Sequence, residues 1–298
     1  MHYHEGEDRD LDRPAHVRAA SSAAFIGGRL AIVQDDANFI ALVDPHNPIV
    51  TSYALDHGEG GLRQFDDVRG NKKHKLDLEA CVVVGDQLIA FGSGSTPARE
   101  KILCARSLDT VPDVRLIDAR ALYATLRAET AFAGSELNIE GVARIGDRLR
   151  LFNRGNGAPH GALLPVDATC DVSADALLAH LEGGPLPTID SIVQYDLGDI
   201  DGVRLGFTDA VMTDRLFYLA AAEDSPDAVR DGPVAGVAIG LLDELRYARV
   251  RTESGPFDGK AEGIAFDPKD PRRGWLVVDR DDPGAAGELW EFELIGPW

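Results

Sequence analysis

Apolar positions along this chain fall in short runs separated by Gly, Asp, Asn and Pro, and most runs are rich in Val, Ile, Leu, Phe and Tyr. Leu30–Val33, Phe39–Val43, Ile49–Leu55, Ala80–Val84, Gln87–Phe91, Val114–Ile117, Ile192–Tyr195, Arg215–Leu219, Val234–Leu242, Tyr247–Thr252, Trp275–Val278 and Leu289–Leu294 read as strands. Regular short strands with turn signals between them predict an all-β closed or radial architecture. Two stretches have helical spacing instead. Asp118–Ala131 and Asp171–Leu181 are Ala- and Leu-rich, and each is expected as a short helical insertion between the outer strand of one unit and the inner strand of the next.

The runs repeat. A carboxylate followed by small and apolar residues, a turn and a second apolar run occurs at Leu78-Glu79-Ala80, Ile139-Glu140-Gly141, Thr208-Asp209-Ala210 and Ala261-Glu262-Gly263. A first copy, Ser21-Ser22-Ala23, keeps the frame with Ser in place of the acid. Repeats of this length mean stacked supersecondary units. The prediction is a β-propeller of four-stranded antiparallel blades in one domain over residues 1–298. Five blades are favoured, and six stay open because Gly184–Gly206 is long. The last unit starts near Ala261 with room for three strands, so a strand near Ala15–Ala20 is expected to close the ring. A β-sandwich would not explain a carboxylate at one point of each unit.

In a blade the inner strand begins, and the next strand ends, at the same end of the channel. That places Glu79, Glu140, Asp209 and Glu262 beside Ser93, Asn153, Ala221 and Asp279. Carboxylates about 5 Å apart repel by roughly 3 kcal/mol per pair at an effective dielectric of about 20, so they need protons, cationic side chains or a bound cation. The expected metal ligands are Glu79, Glu140, Asn153, Asp209, Glu262 and Asp279. All-oxygen donors favour Ca²⁺, with Mg²⁺ or Mn²⁺ as alternatives, and disfavour zinc. The alternative is that the acids cap strand ends by accepting backbone N–H bonds.

Ser93, Ser95 and Thr96 form a small-residue loop that could cradle an anionic ligand with Arg99, or simply make a tight turn. Arg154 could meet a substrate oxyanion or pair with Glu79 or Glu140. His160 could move a proton near neutral pH or be an ordinary loop histidine. The acids of Ala222–Pro233 and Asp279–Pro283 could face the site or cap turns.

Composition narrows the class. The formal charge of −20 argues against nucleic acid and anionic membranes as partners. No apolar run is long enough to span a membrane, and the polar, acidic start is unlike a secretory signal. Three separated cysteines, Cys81, Cys104 and Cys170, read as buried free thiols and fit a cytoplasmic location. A monomer binding a small anionic or sugar-like molecule is expected. There is no Gly-x-Ser-x-Gly, no His-Glu-x-x-His and no dinucleotide fingerprint, which disfavours serine hydrolases, zincins and Rossmann enzymes.

Lys75-Leu76-Asp77-Leu78-Glu79-Ala80, Gly92-Ser93-Gly94-Ser95-Thr96, Asn138-Ile139-Glu140-Gly141, Arg154-Gly155-Asn156, Phe207-Thr208-Asp209-Ala210, Ala222-Glu223-Asp224 and Glu262-Gly263-Ile264-Ala265 resemble an uncharacterised bacterial β-propeller family over nearly the whole chain from Arg18. More distantly, Glu262-Gly263-Ile264-Ala265 with Asp279 is similar to phytase-esterase-like and gluconolactonase-type propellers. That resemblance implies an axial divalent cation and hydrolysis of esters, lactones or phosphoesters. The leading expectation is therefore a metal-dependent hydrolase, with Glu140, Arg154, Arg99 and His160 as catalytic candidates. The competing one is a non-catalytic propeller that binds a sugar, a phosphorylated metabolite or a protein around a structural cation.

Overall fold

A computed structural model describes all residues except 48, 109–111 and 225–231. Five antiparallel sheets follow one another along the chain. The first holds β1 (Ala20–Ile26), β2 (Arg29–Gln34), β3 (Phe39–Val43) and β4 (Val50–Ala54). The second holds β5 (Leu78–Val84), β6 (Gln87–Gly92), β7 (Lys101–Arg106) and β8 (Asp113–Asp118). The third holds β9 (Ile139–Ile145), β10 (Arg148–Asn153), β11 (Asp167–Ser173) and β12 (Asp190–Tyr195). In the fourth, β14 (Val203–Met212), β15 (Leu216–Glu223), β16 (Val234–Leu241) and β17 (Arg246–Arg249) carry a two-residue arm, β13 (Asp199–Ile200). A small hairpin, β18 (Arg251–Thr252) with β19 (Gly255–Pro256), precedes the last sheet, β20 (Lys260–Asp267), β21 (Asp270–Asp279) and β22 (Glu288–Glu293).

The first strand of each blade lines the axis. β1 packs on β5, β5 on β9, β9 on β14, β14 on β20, and β20 back on β1. This is a five-bladed propeller. The Gly184–Gly206 stretch that left six blades open holds β12 and the short arm β13. Inner hairpins turn at glycines such as Gly85 (φ 65°) and Gly146 (φ 62°), a left-handed backbone that other residues adopt with strain.

The core is divided as the ring is. Apolar faces of neighbouring blades interleave at each of the five joints, from Leu30, Ile32 and Trp275 at the first-to-fifth joint to Phe152, Phe207 and Tyr218 between the third and fourth. The three cysteines are free and buried, as expected. Among the described residues no helix is long and apolar enough to cross a membrane.

The helices occupy two places. α1 (Arg120–Ala128) and α2 (Thr130–Ala133) join the outer strand of the second blade to the inner strand of the third, as their sequence suggested. The second insertion departs from expectation: α3 (Ala174–Leu181) lies inside the third blade, between β11 and β12. Ser173, the last residue of β11, caps it by accepting from Ala176 N–H at 3.3 Å, and Leu177 and Leu181 sink into the joint between blades two and three. At the ring's seam, the fifth sheet contains three strands among the described residues. Among the described residues, 15–20 add no strand to it: Gly287 N–H donates to Val17 O at 2.8 Å, Val17 and Ala20 pack in the apolar joint with Trp275 and Val277, and Ala20 already belongs to β1.

Candidate functional site

Every inner strand carries a β-bulge, within its first three residues in four blades and at the sixth residue of the longer β14. The ladder skips Ser21, Glu79, Glu140, Thr208 and Glu262 in turn. A bulge adds one unpaired residue and re-aims its side chain. Three of the five bulged residues are glutamates, and Glu79, Glu140, Glu262 and Ser21 line one small cavity of about 50 Å³ at the channel mouth. The two hydroxyl residues close the ring in the same way: Ser21 Oγ donates to Leu78 O and Thr208 Oγ1 to Ala261 O (3.1 Å), each reaching the residue before the next blade's bulge.

Two residues before each bulge stand Ala19, Asp77, Asn138, Gly206 and Lys260. Opposite them on the second strand stand Asp35, Ser93, Arg154, Ala221 and Asp279. The fourth blade is thus blank, with Gly206 and Ala221. The side chain of Arg154 from the third blade lies there instead, since a Cβ on Gly206 would meet Arg154 Cγ at 3.1 Å. Arg154 spans the gap to Glu223 (2.7 Å) and lies 3.6 Å from Glu140.

Among the described residues the cavity wall holds eight carboxylates, from Asp35, Asp77, Glu79, Glu140, Glu223, Glu262, Asp279 and Asp281, against four cations, Lys75, Arg99, Arg154 and Lys260. Lys75 Nζ bridges Asp35 and Asp77, at 2.6 Å from each. Arg99 holds the other oxygen of Asp77 at 2.9 Å, and Lys260 holds Glu262 at 3.0 Å. Glu262 Oε2 is buried without a hydrogen-bond partner among the described residues.

The excess of negative charge sets proton affinities. Burial opposes ionisation of Asp77, yet Lys75 and Arg99 hold it below the usual carboxylate range. Burial raises its neighbour Asp35 well above that range, against Lys75, and Asp77 adds to the rise. Burial, then the charges of Asp35 and Asp77, push Glu79 well up. Glu140 is pushed up to about 8 by burial, against Arg154, with Glu262 adding to the rise. Asp279 is pushed up to about 7 by burial and by Asp281.

The expected site residues divide. Glu79, Glu140, Glu262, Asp279, Arg99 and Arg154 meet in the cavity. Asp209 does not, because the fourth bulge falls on Thr208 and turns Asp209 away from the mouth. Its carboxylate accepts from Ser22 Oγ (3.3 Å), Ile264 N–H (2.9 Å) and Ala210 N–H (2.8 Å), tying three inner strands together. Asn153 is fully buried and both ends of its amide are occupied, by Asn138 N–H (2.8 Å) and Val166 O (2.9 Å). His160 is exposed and pairs with Leu163 through the backbone, away from the cavity.

Ser93, Ser95 and Thr96 lie behind the wall. Ser93 Oγ bonds Asp77 and Ser95 Oγ accepts from Arg99 at 2.7 Å, so the loop aims those two side chains. Helix α1 braces the same loop, through Tyr123 Oη to Gly92 O (2.6 Å) and Arg127 to Gly94 O (2.8 Å). In the fourth-blade loop Glu223 faces the cavity, while 225–231 lie outside the described residues.

Sequence reasoning missed Asp35, Lys75, Asp77, Asn138 and Lys260 as site residues, while Asp281 and Glu223, left open between site and turn, line the cavity. The available signal was alternation: residues two apart on a strand share a face, so Asp77, Asn138 and Lys260 accompany their glutamates. Among the described residues one carboxylate triad has metal-binding spacing, Asp35, Asp77 and Glu79, with oxygens within 4.8 Å of one another. Hard oxygen donors suit Ca²⁺ or Mg²⁺, and a cation there would compete with Lys75. Beside the mouth, a second cavity of about 330 Å³ shares Arg154, Asn156 and Glu223 with the first.

Comparison with solved structures returns the Neurospora crassa Pan2 WD40 domain, at 10% identity and TM-score 0.40, covering 96% of this chain and 82% of that one. It also returns the extracellular domain of a putative hybrid two-component system from B. thetaiotaomicron, at 9% identity and TM-score 0.34, covering 94% of this chain and 29% of that one. A Synechocystis apocarotenoid oxygenase mutant matches at 11% identity and TM-score 0.34, covering 87% and 65%. No curated protein matches. Residues 16–294 match the model of DUF6929, a family of unknown function, and the chain belongs to that family.

Proposed function

We propose that the channel mouth is a hydrolytic centre for a small ester, lactone or phosphoester, with Asp35, Asp77 and Glu79 holding a divalent cation, Ca²⁺ first. The observation that carries this reading is the convergence of that triad with Glu140, whose proton affinity is near neutrality, in one cavity. A bound divalent cation would supply Lewis acidity and a more acidic water. Asn138 Nδ2 fixes Glu140 Oε1 at 2.7 Å, and Glu140 takes or returns the proton. Arg154 meets charge developing on the substrate oxygen. A cavity of about 50 Å³ admits an ion and a few waters. The body of the substrate therefore rests in the adjoining 330 Å³ cavity, with Arg154 and Glu223 at the junction. The distant similarity of Glu262-Gly263-Ile264-Ala265 to phytase-esterase-like and gluconolactonase-type propellers points the same way.

The test is elemental analysis of protein purified without chelator, then melting with Ca²⁺, Mg²⁺ or Mn²⁺, then turnover of an ester, lactone and phosphoester panel. Glu140→Gln should fold and lose turnover. Absence of metal together with unchanged melting would sink the cation. The second reading, a non-catalytic module for an anionic or sugar-like ligand, is favoured by Lys75 and Lys260, which already partner the mouth's acids. It prevails if ligand raises the melting temperature and nothing in the panel turns over.

A further inference from the structure

We propose that the opposite end of the channel is a second, independent site, one that takes an apolar molecule with a single anionic head, such as a medium-chain carboxylate. The cavity there measures about 520 Å³, within the range of small-molecule pockets. All five inner strands line it, with side chains such as Ala24, Cys81, Val142, Val211, Met212 and Phe266. The two ends do not communicate through a shared wall. Asp209, which lines neither cavity, joins the first, fourth and fifth inner strands between them.

Among the described residues, charge on this cavity is confined to Arg144 and Asp267. Asp267 is engaged, accepting Lys269 N–H at 2.8 Å and facing His46 at 3.9 Å. Arg144 is exposed and its Nε donates to Gly146 O at 3.1 Å, but it makes no ion pair among the described residues. In a chain of net charge −20, a guanidinium without a carboxylate beside an apolar funnel is the complement of an anionic head on a hydrocarbon body. The walls exclude a ligand with charge along its length, because no buried partner awaits it.

Equilibrium binding of two dyes tests this, anilinonaphthalene sulfonate, which is aromatic and anionic, and phenylnaphthylamine, which is aromatic and neutral. Both should occupy one saturable site, and dodecanoate should displace them at lower concentration than dodecanol. Ala24→Trp fills the cavity from a half-buried position and should weaken both dyes by about tenfold or more. Val83→Trp, from another blade, guards against a folding defect in the first variant. Arg144→Ala should weaken the sulfonate and dodecanoate by about fivefold and leave the neutral dye unchanged. Wild-type affinity in both tryptophan variants overturns the site. Unchanged dodecanoate affinity in Arg144→Ala overturns the anionic head.

Discussion

Arg154 is the cation on which the mouth's electrostatics turn, and replacing it with Met isolates that role. Met preserves most of the stem that lies over Gly206 and removes the charge. At the observed 2.7 and 3.6 Å, the gross attractions to Glu223 and Glu140 are roughly 6 and 5 kcal/mol at an effective dielectric of about 20. Desolvation cancels much of this in the native protein. Once the guanidinium is gone, Glu223 keeps the more distant Lys260 (3.9 Å) and the Gly232 N–H, and Glu140, already raised to about 8, takes up its proton, so breaking this buried pair costs about 3–5 kcal/mol. For a chain of this length that is a fall in melting temperature of roughly 5–8 °C.

The pH dependence has a definite sign. Burial opposes ionisation of Glu223, yet Arg154 and Lys260 hold its proton affinity below the usual value. Its contribution is therefore present above the ordinary carboxylate range and lost as pH falls. Arg154→Met should lose most near pH ~8 and least near pH ~5, where the orphaned acids protonate. Adding Glu223→Gln should recover more than half of the loss. Urea melts of the two singles and the double, at both pH values, measure the coupling directly. A single variant within about 1 kcal/mol of wild type at both pH values, with no coupling to Glu223, would refute the placement of Arg154 across the blank blade.

Gly206→Val should act through the same contact, displacing Arg154 and giving a smaller loss at high pH that shrinks when Arg154 is already Ala, which has no Cγ to displace; paired melts check this. Lys75→Met removes the ammonium between Asp35 and Asp77, so it should destabilise metal-free protein yet enlarge the Ca²⁺-induced rise in melting temperature, and an equal rise in both proteins would contradict a cation at the triad. Asp279 has a raised proton affinity, so the native state binds the extra proton and stability falls as pH climbs from the unfolded value toward about 7. In chelator-containing buffer, Asp279→Asn should flatten that decline, read by chemical denaturation across the window.

Much of the architecture was written in the chain. Phe39–Val43 became a strand with matching bounds and Trp275–Val278 the buried half of the longer β21, because each is a continuous apolar run in the core. The mouth was legible where a glutamate occupied the bulge, as at Glu79, Glu140 and Glu262. It was misread at Thr208-Asp209, because a bulge shifts the frame by one and the acid drew attention from its neighbour. Lys75 and Lys260 look like surface charges in sequence. Their place among carboxylates comes from inter-strand geometry, which brings Asp35 to Asp77 across two blades. The position of α3 was missed for a similar reason: its cap and its apolar face say that a helix forms, and nothing local says between which strands.

The repeated bulge separates what the backbone must do from what the side chain does. Each inner strand bends at the same point whether the extra residue is Ser, Glu or Thr, so the five positions behave as sockets on a common frame. Exchanging the residue in one socket rewrites the chemistry of the opening while leaving the ladder beneath it in register. Ser21 and Thr208 are the two sockets now fitted with short hydroxyls, and they are where a carboxylate or an imidazole could be installed to give this ring a different appetite for ions.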